Sequence, residues 1–370
     1  MKTCLTALLC VMCLSILPGQ IPDTVKHLHV VSMDHPDCDD CAINPFHRCM
    51  DTPEQEAYVD SLHQAAMDKY VRRPAGTRMP PSIQGTLTWP LQASEEFDEF
   101  SYYAIGNYGD LDTVIGDRLD YSCGARTYDT GTFNHDGTDI STYPFPYHKM
   151  ANDLVEVVAV APGTITVRID GNPDMNCVFS NRPSNRIKVA HADGTVAEYK
   201  LFKNGSVTSK LVGQTVAQGE YLGIVASSGS STAPHLHVEL RDSLGEVIDP
   251  FFGPCSGDSD LPNITTASWW ADQKPYVDSM VNALITHSGT PVFSTCDMSD
   301  STAIPGIRKA KKYYEPGDSI VFGAYYRNVR DVHTASVTIY RPDNSIWMSW
   351  DDDDAFTNSF HGTKSVLTPA

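Results

Sequence analysis

Long apolar runs and positive charge are both scarce in this chain of 370 residues. The only sustained apolar stretch runs from Leu5 to Leu17. No second run of 18 or more apolar residues follows, so no membrane-spanning helix is expected beyond it. Lys and Arg total 27 against 46 Asp and Glu, a formal charge of -19. That imbalance argues against nucleic acid or an anionic membrane as partner, because the phosphate interaction would be repulsive over most of the surface. No internal repeat is present. Beyond the apolar N-terminal run, which itself contains Cys10-Val11-Met12-Cys13, one C-x-x-C remains, Cys38-Asp39-Asp40-Cys41; it has no partner pair there and no βαβ context, so it reads as a local disulfide or free thiols rather than a zinc or redox pair. The remaining composition, 41% hydrophobic and 20% charged, is that of an ordinary globular protein long enough for two domains.

Lys2 followed by the short apolar stretch has the shape of a secretory signal over residues 1–20, although no small-x-small triplet closes it. Export to an extracellular or periplasmic location permits disulfides. Cys123, Cys177, Cys255 and Cys296 are the candidates, and proximity along the chain suggests Cys123 with Cys177 and Cys255 with Cys296. Two N-x-S/T sequons start at Asn204 and Asn263 and matter only in a glycosylating host.

Residues 21–85 are polar, contain a predicted helix from Thr52 to Tyr70 and leave through Pro74 and Pro80-Pro81, as a pro-segment or spacer would. Residues 86–255 carry short strand-like runs at Glu156–Val160, Thr164–Ile169, Arg186–Ala190, Thr195–Phe202, Gly223–Ala226 and His235–Leu240. Turns at Pro162-Gly163, Asp170-Gly171 and Asp193-Gly194 separate several of them. That pattern predicts an all-β domain. Residues 256–312 read as a linker containing Trp269-Trp270 and a short helix from Tyr276 to Thr286. From 313 to 370, Ile320–Arg327 and Ala335–Arg341 alternate like strands of a small sandwich-like β-domain, with too few strands to close it.

The chemistry concentrates in Ser228-Gly229-Ser230-Ser231-Thr232-Ala233-Pro234-His235-Leu236-His237. Alternation on a strand sends His235 and His237 to one face and Leu236 and Val238 to the core. Upstream, His135-Asp136-Gly137-Thr138-Asp139 offers an imidazole and a carboxylate on a turn and a strand start. His135, Asp139 and His237 would make an N,O,N set with a fourth position open, as hydrolytic zinc sites require. A bare His-x-His is cheap, and His27-Leu28-His29 reads as a chance copy. His191, next to a turn, reads as structural or groove-lining, and His148 lies in an aromatic and proline-rich segment. The run Asp351 to Asp354 lacks the glycine and ligand spacing of an EF-hand and reads as a solvated turn.

The series His135-x-Gly137-x-Asp139-Ile140, Ala161-Pro162-Gly163-Thr164, Val212-Gly213-Gln214-Thr215-Val216-Ala217-Gln218-Gly219, Leu222-Gly223-Ile224-Val225 and the loop into His235-Leu236-His237 resembles the lysostaphin/LytM-type zinc endopeptidases over about residues 120–250. The resemblance implies a compact antiparallel β-fold with a groove, and cleavage of peptide bonds in bacterial cell-wall peptidoglycan cross-links, with Gly/Ala-rich peptides as substrates. It further implies Zn2+ held by His135, Asp139 and His237, and His235 as a catalytic histidine that helps deprotonate the attacking water. One position departs. Where the family has a second catalytic histidine two residues after a tyrosine, this chain reads Tyr199-Lys200-Leu201. Leucine neither accepts a proton nor donates to an oxyanion, and Lys200 should face away from position 201 on a strand. Two readings follow: a secreted zinc metalloendopeptidase, or a catalytically impaired zinc-binding pseudopeptidase that binds the cell wall or regulates a partner.

Overall fold

The computed structural model describes residues 4–5, 29–33, 51–71, 81–112, 114–129, 134–256, 266–315, 317–329, 334–341, 343–352 and 363–369. Most of the signal-like segment, Cys38, Cys41, Cys49, Pro74, Pro80 and the Asn263 sequon lie outside the described residues.

The expected all-β architecture is what the chain adopts. Strands are β1 (Leu91–Ala93), β2 (Tyr103–Asn107), β3 (Thr138–Thr142), β4 (Val155–Val158), β5 (Gly163–Ile169), β6 (Arg186–His191), β7 (Val196–Lys200), β8 (Thr215–Val216), β9 (Tyr221–Ile224), β10 (His235–Arg241) and β11 (Val247–Ile248). Eight of them form one sheet in the order β8-β5-β6-β7-β10-β3-β2, with β11 also on β10. All its pairings are antiparallel. A second sheet, β9-β4-β1, is also antiparallel. Ile165, Val167, Ile187, Val189, Ala197, Tyr199, Leu236, Val238 and Leu240 are buried. Most of them join one core with Leu91, Val155, Val157 and Leu222. Period-two alternation puts these residues on one face, except Val167, which a bulge in β5 brings opposite Lys188, and leaves Arg186, Lys188, Glu198, Lys200, His237 and Glu239 on the other.

That polar face is covered by the helix α1 (Pro53–Ala66), which confirms the helix expected from Thr52. Its start is a capping box: the Gln55 amide donates to Thr52 Oγ1 at 3.3 Å and the Thr52 amide to Gln55 Oε1 at 2.8 Å, with Pro53 in the first turn. A short helix, α2 (Pro146–Ala151), falls in the aromatic segment around His148.

Two expectations fail. Residues 276–286 are not a helix, because Met280–His287 forms strand β12, paired antiparallel with Val321–Arg327. Val277, Met280, Val281, Leu284 and Ile285 do recur at helical spacing. In β12, however, both faces are covered, so periodicity alone misleads. The disulfides are Cys123–Cys255 and Cys177–Cys296, not the pairs suggested by chain proximity. The hairpin β13 (Thr295–Asp297) and β14 (Thr302–Ile304) folds back on the 175–182 loop. There the Ala303 amide donates to Met175 O at 2.7 Å and Arg182 Nη2 to Asp300 O at 2.7 Å. Near the other bridge, the Cys255 amide donates to Tyr121 O at 3.1 Å.

The C-terminal region is β-structured as expected. β15 (Val321–Arg327) pairs with β12 and with β18 (Thr363–Pro369), and β16 (Thr334–Tyr340) pairs with β17 (Ile346–Asp352). It is anchored to the main sheet: Arg327 bonds Asp278 at 2.6 Å and Asn282 at 2.9 Å, and Asn282 donates to Tyr103 O and Tyr143 O. No described helix is long and apolar enough to cross a membrane.

Candidate metal centre

Register builds the cluster. β10 lies between β3 and β7, with His237 opposite Asp139 on one side and Lys200 on the other. Directly opposed residues point to the same face, so the carboxylate and the imidazole meet although 98 residues separate them. His135 arrives from the turn before β3. This approach requires Gly137, since a Cβ there would stand 2.7 Å from His237 Nε2 and 2.8 Å from Val238 O.

The hydrogen bonds set each tautomer. His135 Nδ1 lies 2.6 Å from Tyr108 O, and because a carbonyl only accepts, the proton sits on Nδ1 and Nε2 presents its lone pair. Tyr128 stacks on the His135 ring at 4.0 Å between centroids. His237 Nε2 lies 3.0 Å from Glu239 Oε1, which leaves Nδ1 toward the cluster. Asn107 Nδ2 reaches Asp139 Oδ2 at 3.4 Å, leaving Oδ1 facing the imidazoles.

Three donor atoms therefore converge. His237 Nδ1 to Asp139 Oδ1 is 2.9 Å, His135 Nε2 to His237 Nδ1 is 3.3 Å and His135 Nε2 to Asp139 Oδ1 is 3.4 Å. A tetrahedral ion with ligand bonds of about 2.0–2.1 Å separates its donors by roughly 3.3 Å, so the spacing fits zinc. Burial opposes charge on His237, but its bonds to Asp139 and Glu239 outweigh this and hold it up to about 10. Burial would raise Asp139, yet the neighbouring histidines hold it well below the usual carboxylate range.

His235 occupies the open side. Its Nδ1 donates to Ala233 O at 2.7 Å, with Ser231 Oγ at 3.4 Å, and its Nε2 stands 3.6 Å from Asp139 Oδ1. Burial lowers its pKa, which favours a neutral ring with a basic Nε2. Ser231 is held in turn by Ser227 Oγ at 2.7 Å, and Ser227 donates to Asn176 O.

Position 201 is instructive. Leu201 is buried and lies just past β7 in the left-handed region at φ 77°. A leucine there costs about 1–2 kcal/mol, whereas histidine is among the residues enriched in that conformation. Lys200, by contrast, lies on the His237 face, its Nζ 2.5 Å from Glu239 Oε1.

Asp136, His237 and Glu239 also lie close enough to share an ion. Arg241 already bonds both carboxylates, at 2.5 Å to Asp136 and 2.9 Å to Glu239, so that set is an ion-pair network. His191, against Pro162 O at 3.0 Å, and His148, against Arg308 at 3.1 Å, make contacts outside the cluster. Sequence reasoning missed Glu239, Tyr108, Tyr128 and Asn107. Only Glu239 carried a signal, two residues beyond His237 on the same strand face.

Residues 134–250 match the model of Peptidase family M23. This stretch is an M23 domain. It contains His135, Asp139, His235, His237 and Glu239, and the M23 domain accounts for the lysostaphin/LytM resemblance of the motifs. Among solved structures, the catalytic domain of lysostaphin from Staphylococcus simulans is 22% identical, with 40% of this chain and 89% of that one covered at a TM-score of 0.24. The catalytic domain of the prophage-encoded M23 protein EnpA from Enterococcus faecalis is 21% identical, covering 43% and 92% at 0.25. The SpoIIQ-SpoIIIAH pore-forming complex matches at 18% identity, 46% and 90% coverage and 0.30.

Proposed function

We propose that the chain is an exported zinc metalloendopeptidase that hydrolyses peptide bonds in bacterial peptidoglycan cross-links. The observation that carries this reading is the convergence of His135 Nε2, Asp139 Oδ1 and His237 Nδ1, with the first ring pinned by Tyr108 O and the last by Glu239. Zinc bound there would polarise the scissile carbonyl and acidify water. The side chains do the rest. His135, Asp139 and His237 orient the ion. His235 takes a proton at Nε2 and returns it to the leaving amine, held in aim by Ala233 O and Ser231. We place the peptidase unit at residues 86–255, with residues 1–20 as its secretion signal.

The test is metal content together with turnover of pentaglycine, cross-linked muropeptides and whole cell walls. His237→Ala is expected to lose stoichiometric zinc. His235→Ala should keep the metal and lose about 10²–10⁴-fold in rate. A zinc-free natural protein, or turnover indifferent to His237→Ala, would defeat the proposal.

Leu201 favours a second reading, a zinc-binding pseudopeptidase that engages cell-wall peptides without cutting them. Its left-handed backbone suits a histidine better than a leucine. Leu201→His is then expected to raise turnover sharply without loss of stability, whereas robust turnover by the natural chain removes this reading.

A further inference from the structure

Beside the metal cluster, the polar face of the sheet carries a row of cations. Lys200 on β7 stands opposite His237, and Arg186 and Lys188 follow on the next strand, β6. At about 4.8 Å per strand the row reaches roughly 10 Å from the β10 backbone, the span of a few extended residues. The sheet supplies two carboxylates to this row. Glu198 bonds Arg186 at 3.0 Å and Lys188 at 3.1 Å, and Glu239 bonds Lys200 but is shared with Arg241 and His237.

The remaining counter-charge comes from α1 and the residue before its cap. Asp51 pairs with Arg186 and lies 3.6 Å from Lys200, Glu56 is 3.4 Å from Lys200 and 3.6 Å from Arg186, and Asp60 is 3.0 Å from Lys188. Farther along, His63 bonds Thr166 at 2.8 Å. The helix contributes little apolar anchoring, since only Val59 and Ala66 are buried. It is therefore held mainly by charge, and buried cations demand partners whichever segment supplies them.

We infer that Arg186, Lys188 and Lys200 form a carboxylate-binding floor for an acidic peptide, leading away from His237, and that Asp51, Glu56 and Asp60 of the α1 segment occupy it in place of that ligand. The inference rests on the peptidase reading only in taking the ligand to be a substrate peptide. An acidic peptide supplies the same carboxylates from an extended backbone. Displacing the helix then exchanges one set of ion pairs for another while uncovering the floor. A neutral peptide of equal length offers no such exchange and leaves the helix in place.

The test uses the full chain, stripped of metal by a chelator so that nothing is cut. The probes are a fluorescent hexapeptide alternating glutamate with alanine and its glutamine counterpart, read by anisotropy. In the triple variant Asp51→Asn, Glu56→Gln, Asp60→Asn, affinity for the acidic probe should rise at least tenfold over the natural chain, weaken as salt is added, and disappear when Lys188→Met is added. The glutamine probe should bind neither protein. If the triple variant does not fold, Asp60→Asn alone serves, because its side chain is 66% exposed. It should raise affinity for the acidic probe measurably over the natural chain, and unchanged affinity overturns the inference. Equal binding of acidic and neutral probes to the variant, or equal affinity of variant and natural chain, also overturns it. Because binding is read without metal, loss of turnover leaves the floor intact. Conversely, a zinc-loaded chain that binds and cuts neutral and acidic peptides alike keeps the peptidase reading and removes the floor.

Discussion

Tyr108, Glu239 and Asn107 decide what His135, His237 and Asp139 can do. Each takes up the one atom of a candidate ligand that would otherwise compete with the metal-facing atom. Glu239 fixes the His237 tautomer, and such outer partners typically contribute 10–100-fold in metal affinity. Glu239→Gln is accordingly expected to weaken zinc by about that factor in a chelator competition, with the fold retained. A second prediction concerns Asp249, buried beside Gly109 and accepting from the Phe251 amide at 2.9 Å. Burial pushes its carboxyl up to about 7 from an ordinary 3.8, so between those values the folded chain holds a proton that the unfolded chain has released. Stability from this group is full below pH 3.8 and is lost as pH rises through about 7. Thermal melts of Asp249→Asn should therefore gain on the natural chain as pH is raised from about 5 to about 8, and a constant difference would refute the assignment.

At the scale of elements, the central strands were legible and their neighbours were not. β5, β6, β7 and β10 lie within two residues of where alternation and turn residues place them, because most of their core-facing side chains are apolar, buried His191 at the end of β6 being an exception. β12 escaped because burial on both faces erased its alternation, and Asn282 within it bonds across to Tyr103 and Tyr143 rather than marking a turn. The helix α1 starts where the sequence placed one, and the structure shows the capping box that fixes its start. Thr52→Ala removes one half of the capping box and is expected to cost about 1 kcal/mol. Hydrogen exchange of the α1 amides should accelerate roughly fivefold while core strands stay unchanged.

Across the whole molecule, two disulfides close loops of 132 and 119 residues and join segments that sequence proximity keeps apart. Cys177–Cys296 holds the 175–182 loop, whose Asn176 supports Ser227 and, through Ser231, His235. Replacing either pair with serine is expected to cost roughly 2–5 kcal/mol in chemical denaturation. Loss of Cys177–Cys296 should also lower turnover with zinc content unchanged, while loss of Cys123–Cys255 should affect stability alone.

The sequence by itself determined the all-β class, the faces on which His235 and His237 lie, and the chemical identity of a His, Asp, His set, because these follow from local alternation and residue type. It also exposed the leucine at position 201 where the family places an imidazole. Only the tertiary structure decided which cysteines meet, that Lys200 faces His237, and that the charged face of the sheet is covered by α1. Those are relations between segments far apart in the chain, set by strand register and packing, and no local periodicity encodes them.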